Sequence, residues 1–155
     1  MGSITGRLDA SGRQFAVVAS RWHDEVIARL ITAALATLER YGADPARQVV
    51  VRVPGAFEIP LAARQLAATR RFAGLICLGC VLRGETAHFD YLCAEVTRAL
   101  SEVALECGVP VTHGVIMADT MAQAEERSGG PVGNKGEEAA LAAIEMADLL
   151  ATIGN

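Results

Sequence analysis

Residues 75–90, LICLGCVLRGETAHFD, restrict this chain more than any other stretch. Residues 75–82 carry no charge and little turn chemistry, so they read as a strand buried on both faces of a parallel sheet. Arg83, Gly84, Glu85, Thr86, Ala87 and His88 then leave that strand at its carboxyl end, where open α/β sheets place their ligands. A helix starting near Ala87 turns its unsatisfied N–H groups back onto this turn, and such donors beside a glycine hold an anion. The turn is predicted to take a phosphate or carboxylate, with an imidazole next to it.

Two familiar motifs are only approximated here. Residues 79–86 nearly spell a nucleotide-binding P-loop, but Glu85 stands where that loop needs lysine and would repel a triphosphate. Cys77 and Cys80 form a C-x-x-C, yet residues three apart on a strand face opposite sides of the sheet and do not grip one metal ion.

A chain of 155 residues, half of them apolar, makes one domain with a sizeable core. Its formal charge of −4 and scattered arginines argue against nucleic acid as the main partner. The longest apolar run, residues 72–82, is too short to span a bilayer, and the polar first residues do not read as a secretory signal, so no membrane association is expected. Cys77, Cys80, Cys93 and Cys107 fall inside core elements, which fits reduced thiols in the cytoplasm. Thirteen arginines accompany one lysine, Lys135, a bias that reflects either codon composition with a solvated loop lysine or a need for an ammonium at that position.

Elsewhere the periodicity alternates between strand and helix. Residues 1–13 are a polar arm. Strands are predicted at 14–20, 48–53, 75–82 and 111–117. Helices are predicted from Asp24 to the Tyr41-Gly42 break, at 58–70, from about Ala87 to Gly108, at 120–127 and at 137–150. Residues 128–136 read as a glycine-rich loop holding Lys135. Strict alternation predicts a single-domain α/β protein, a three-layer αβα sandwich on a four-stranded parallel sheet with the flavodoxin-like order 2-1-3-4 and an N-terminal extended arm. No G-x-G-x-x-G follows any strand, so no dinucleotide is expected.

In that order three turns converge at one sheet edge. Trp22, the only tryptophan, lies in a turn, where it either plugs the sheet edge or offers a flat face for a planar heterocycle. Pro54 to Glu58 supplies close backbone approach at Gly55, an aromatic at Phe57 and a carboxylate at Glu58, which either compensates a helix dipole or binds ligand hydroxyls. His88 either caps its own helix or serves as a base, since a helix amino end favours the neutral imidazole. Arg127 suits the end of its short helix, His23 reads as an exposed turn residue, and His113 as a satisfied core histidine.

Four stretches taken together, Ser20-Arg21-Trp22-His23, residues 53–60 (VPGAFEIP), residues 78–91 (LGCVLRGETAHFDY) and Gly133-Asn134-Lys135-Gly136, resemble the 6,7-dimethyl-8-ribityllumazine synthases of riboflavin biosynthesis. The likeness runs from about Phe15 to Leu150 without evident insertion and assigns residues 14–155 to the synthase domain. It implies a transferase that condenses 5-amino-6-(D-ribitylamino)uracil with 3,4-dihydroxy-2-butanone 4-phosphate, using no cofactor and no metal. By the same resemblance Trp22 stacks on the uracil ring, Ala56, Phe57 and Glu58 hold the ribityl chain, and the backbone around Val81 and Leu82 lines the ring pocket. Gly84, Glu85 and Thr86 form the phosphate turn, and His88 transfers protons. Arg127 binds phosphate and Lys135 lies near the ring, both from a neighbouring subunit, and position 113 covers the ring.

The chain departs from the family pattern at four places. His113 stands where Phe is usual, Cys80 where Thr or Val is common, and residues 117–120 and 128–131 differ from the commoner sequences. The shared site implies a pentamer; the lack of an insertion between Arg127 and Asn134 favours an icosahedral capsid of sixty subunits, while Pro131 in that loop leaves pentamer, decamer and shell all open. Two other activities fit the same scaffold: an archaeal-type riboflavin synthase, and a non-catalytic flavin-binding or shell-forming paralogue.

Overall fold

The buried runs of the sequence become four parallel strands in a computed structural model that describes residues 1–154. In chain order the elements are β1 (Phe15–Ser20), α1 (Asp24–Arg40), β2 (Val49–Val53), α2 (Ile59–Ala68), β3 (Gly74–Leu82) and α3 (His88–Cys107). They continue with β4 (Val111–Ala118), α4 (Met121–Glu126), β5 (Ser128–Gly130), β6 (Gly133–Asn134) and α5 (Lys135–Ile153). The sheet order is β2-β1-β3-β4, so β1 and β3 are interior and β2 and β4 are edges. All six residues of β1 are buried, which is why its sequence, FAVVAS, shows no polar alternation.

Alternate side chains of each interior strand feed two separate cores. Phe15, Val17 and Ala19 of β1 with Ile76, Leu78 and Cys80 of β3 pack under α1 and α5, against Ile27, Leu30, Ala140 and Ile144. Ala16 and Val18 with Leu75, Cys77 and Val81 pack on the opposite face under α2 and α3, against Ile59, Ala63, Val96 and Leu100. Cys77 and Cys80 are therefore on opposite faces of the sheet. Burial pushes their thiols up to about 12 and about 11 respectively, so both stay protonated near neutrality.

Glycine brings the α5 layer close. A Cβ on Gly136 would strike the carbonyl of Leu30, so the start of α5 touches the backbone of α1, and this contact fixes where Lys135 begins. The segment from Gly6 to Arg13 meets the other end of α5. Arg7 N–H donates to Asp148 at 2.7 Å and Arg13 reaches the same carboxylate at 3.0 Å. These donors, the Arg7 backbone first and the Arg13 guanidinium second, hold the Asp148 carboxyl down at about 2.

Two expectations are corrected. Residues 128–136 are not an open loop: Ser128 pairs with Asn134 and Gly130 with Gly133 in a small antiparallel ribbon, turned by Gly129 and Gly133 at φ 111° and 123°. Lys135 is not in a loop either. It is the first residue of α5, because the Asn134 side chain accepts from the N–H groups of Gly136 and Glu137 and so caps the helix two residues earlier than predicted. Similarly, a short 3₁₀ turn over Ala56–Glu58 precedes α2, which starts at Ile59 with Pro60 in its first turn.

Candidate active site

The carboxyl ends of β1, β2 and β3 open onto a cleft of about 550 Å³ lined by Trp22, His23, Gly55, Ala56, Phe57, Glu58, Cys80, Val81, Leu82, His88 and Leu92. Each strand delivers its part through the turn that follows it. β1 ends at Ser20, and Arg21 N–H still donates to Val53 O at 2.9 Å, so the turn carrying Trp22 stays fastened to the end of β2. The indole does not plug the sheet edge: Trp22 is 70% exposed and Phe57 63% exposed, two large apolar faces left open around one hollow. Ala56 and Val81 are buried at its base.

Gly55 lies between Trp22 and Glu58. The Glu58 carboxylate accepts from Gly55 N–H at 2.9 Å, and a Cβ there would come within 3.2 Å of that carboxylate and 3.5 Å of the indole. The capping role of Glu58 is thus real, and it aims the carboxylate into the cleft beside the indole, because one oxygen on the backbone fixes where the other points.

Beyond β3 the turn through Gly84, Glu85 and Thr86 is exposed and borders the cleft at His88 instead of lining it. His88 is the first residue of α3. Its backbone N–H donates to Thr86 Oγ1 at 3.3 Å, and the imidazole stands at the amino end of a 20-residue helix. Arg83 ties the turn down at its start, with Nε 2.8 Å from Asp119 and Nη1 3.1 Å from Asp90.

Three of the expected site residues do not reach this cleft. Arg127 follows α4, with Nη1 donating to Gln123 O at 3.0 Å and 3.7 Å from Glu126. Lys135 pairs with Glu138 at 3.0 Å. His113 is not a core histidine: β4 is an edge strand and His113 is exposed on it, Nε2 lying 3.1 Å from Thr97 Oγ1. Partial burial of its ring and then the charge of Lys135 hold its pKa below the usual value, so it is neutral at pH 7.

The family model for 6,7-dimethyl-8-ribityllumazine synthase matches residues 12–151. This chain belongs to that family. A relative in Syntrophus aciditrophicus (strain SB), named 6,7-dimethyl-8-ribityllumazine synthase, is 49% identical over 148 residues, which span 96% of each protein. The lumazine synthase match takes in every element from β1 to the greater part of α5, so the cleft and the three outlying residues all lie within it.

Within this lumazine synthase fold the sequence overlooked two lining residues. His23 is half-buried, not exposed; it takes a left-handed conformation at φ 61° as the residue before α1 and lines the cleft next to Trp22. A histidine between Trp22 and the acidic first turn of α1 was the available signal. Leu92, one turn into α3, was visible only as part of the helical stripe. No helix among the described residues is long and apolar enough to cross a membrane.

Proposed function

We propose that this edge, closed by a neighbouring copy of the chain, condenses 5-amino-6-(D-ribitylamino)uracil with 3,4-dihydroxy-2-butanone 4-phosphate to give 6,7-dimethyl-8-ribityllumazine, releasing phosphate and water. The observation that carries it is one cleft in which an exposed indole, a phenyl ring, an aimed carboxylate and a helix-start imidazole meet, in a chain of the lumazine synthase family. Trp22 stacks on the pyrimidine, Glu58 takes ribityl hydroxyls beside Ala56 and Phe57, and the backbone at Val81 and Leu82 borders the ring. The turn of Gly84, Glu85 and Thr86 receives the phosphate with help from helix N–H groups.

The chemistry asks little of the protein beyond placement. The pyrimidine's amine adds to the ketone, water leaves, a proton is removed so that phosphate departs, and the ribitylamino nitrogen closes the ring with loss of further water. Holding two reactants in register supplies most of the acceleration. His88, at the helix start on the cleft wall, accepts and returns the protons, a contribution of about 10²-fold or more.

Assembly belongs to the same proposal. Arg127 for the phosphate, Lys135 near the ring and His113 over it come from the adjacent protomer of a pentameric ring. Exposed Leu61, Tyr91 and Leu105 on α2 and α3 leave apolar surface for such a neighbour to cover. Four free cysteines suit a reducing cytoplasm. Light scattering on the purified protein separates a pentamer or decamer from a sixty-subunit shell.

The test is to mix the two substrates and follow the fluorescence of the lumazine. Turnover supports the proposal. Riboflavin made from the lumazine alone would instead mark a riboflavin synthase, and riboflavin bound without turnover a non-catalytic paralogue.

A further inference from the structure

The turn expected to hold the phosphate has almost no packing of its own. Gly84, Glu85, Thr86 and Ala87 are exposed, and a Cβ on Gly84 would meet nothing within 4 Å. Its one side-chain hydrogen bond is the contact between Thr86 Oγ1 and the N–H of His88. A segment like this takes the shape that its ends impose.

Both ends are gripped by one side chain. Arg83 N–H donates to Ala118 O at 2.9 Å, continuing the pairing of β3 with β4 past the last residue of β3. Its guanidinium carbon lies 4.4 Å from the centre of the Phe89 ring, and Phe89 is buried in the core under α3. One edge of the fork meets both oxygens of Asp90, at 3.1 and 3.4 Å, seven residues along the chain and in the first turn of α3. The other edge meets Asp119 at 2.8 Å, at the junction of β4 and α4.

Asp119 carries the connection further. Its N–H donates to Gln123 Oε1 at 2.8 Å, and Gln123 O accepts from Arg127 Nη1 at 3.0 Å. A single guanidinium thus orients the anion turn on one side and the short helix that ends on Arg127 on the other. Two carboxylates at an angle and a ring beneath are a demand that a planar fork meets and a point-charge ammonium does not.

We infer that Arg83 is a positioning residue for the phosphate of the butanone substrate, setting the 84–87 turn and His88 through Asp90 and aligning Arg127 through Asp119. The inference rests on the proposed condensation and deepens it. Arg83 itself touches neither substrate; its effect passes through the groups it holds.

The test compares Arg83→Gln, Arg83→Lys, Asp90→Asn and Asp119→Asn with the parent protein. Steady-state kinetics with each substrate varied in turn are run beside inorganic phosphate titrations, thermal melting and light scattering. Arg83→Gln is expected to raise KM for the phosphate substrate about tenfold or more and to weaken inorganic phosphate binding alike, while KM for the pyrimidine and the particle size hold. Arg83→Lys rescues only a small part. The two Asp variants show smaller rises that add little when combined with Arg83→Gln, the signature of one network.

Equal rises in both KM values together with a collapsed melting temperature would reduce Arg83 to a structural role and overturn the inference. Unchanged phosphate affinity and kinetics in Arg83→Gln would overturn it too. If the parent protein binds phosphate yet makes no lumazine, the proposed reaction falls, and the phosphate titration alone then decides for or against Arg83.

Discussion

The cleft at the ends of β1, β2 and β3 and the group formed by His113, Arg127 and Lys135 are built on different terms. The cleft is concave, leaves its aromatic faces open, and keeps the Trp22 indole and the His88 ring without partners that would occupy them. The second group lies outside that cleft, and each member already has a local contact: His113 with Thr97, Arg127 with Gln123 and Glu126, Lys135 with Glu138. Their partners are exposed or half-exposed, so these contacts are weak and exchange readily for a stronger anion. One region is an open cleft with no arginine or lysine in its lining, and the other is two cations and a neutral imidazole engaged in local contacts. The difference is the one that the proposed assembly requires, in which each protomer gives its cleft to one shared site and its cations to the next.

The sharpest way to break this comparison is Arg127→Ala. If the cations serve a neighbour's cleft, kcat/KM is expected to fall on the order of 10²–10³-fold, as for loss of a donor to developing charge. Refolding Arg127→Ala together with Trp22→Ala should then restore part of the activity, because some interfaces combine two intact halves. Activity in the mixture no higher than in either variant alone would place both residues in one protomer's site. Next in size is His88→Ala, expected to slow turnover about 10²-fold without abolishing it, since reactant placement survives. Single-turnover absorbance measurements read this directly.

Trp22→Ala should act mainly on binding, raising KM for the pyrimidine about tenfold with kcat little changed. The smallest expected effect is at His113. Its folded pKa lies below the ordinary 6.5, so the folded protein binds fewer protons than the unfolded chain in acid. Stability from this group is therefore present above about pH 6.5 and is lost as pH falls toward and through the lowered value. His113→Phe should flatten that acid-side decline in urea melts and tighten pyrimidine binding a few-fold at about the level of one aromatic contact.

How much of this was legible in the sequence depended on whether hydrophobic patterning or backbone geometry sets the feature. The parallel sheet followed from strict alternation of apolar runs with helical stripes, the flavodoxin-like order expected for such a sheet is the one found, and β1 and β3 are buried on both faces as those runs imply. The cleft followed from the same order, since the ends of adjacent strands must meet. The ribbon of β5 and β6 was not legible: it is held by backbone pairing among glycines, which leave no side-chain pattern. The start of α5 was legible but overlooked, because Asn134 followed by Glu137 and Glu138 is a capping signal. His113 was misread through a default that the sheet order itself contradicts, since the fourth strand is an edge and one of its faces is only partly covered. The conformation of His23 had no signature in residue type at all.

The sulfur of Cys80 lies at the base of the cleft, and its proton is held until about pH 11. A thiol in that state is a poor target for alkylating agents and peroxide. Alkylation or peroxide treatment is therefore expected to spare this sulfur, so the cleft carries no ready point of covalent inactivation at Cys80.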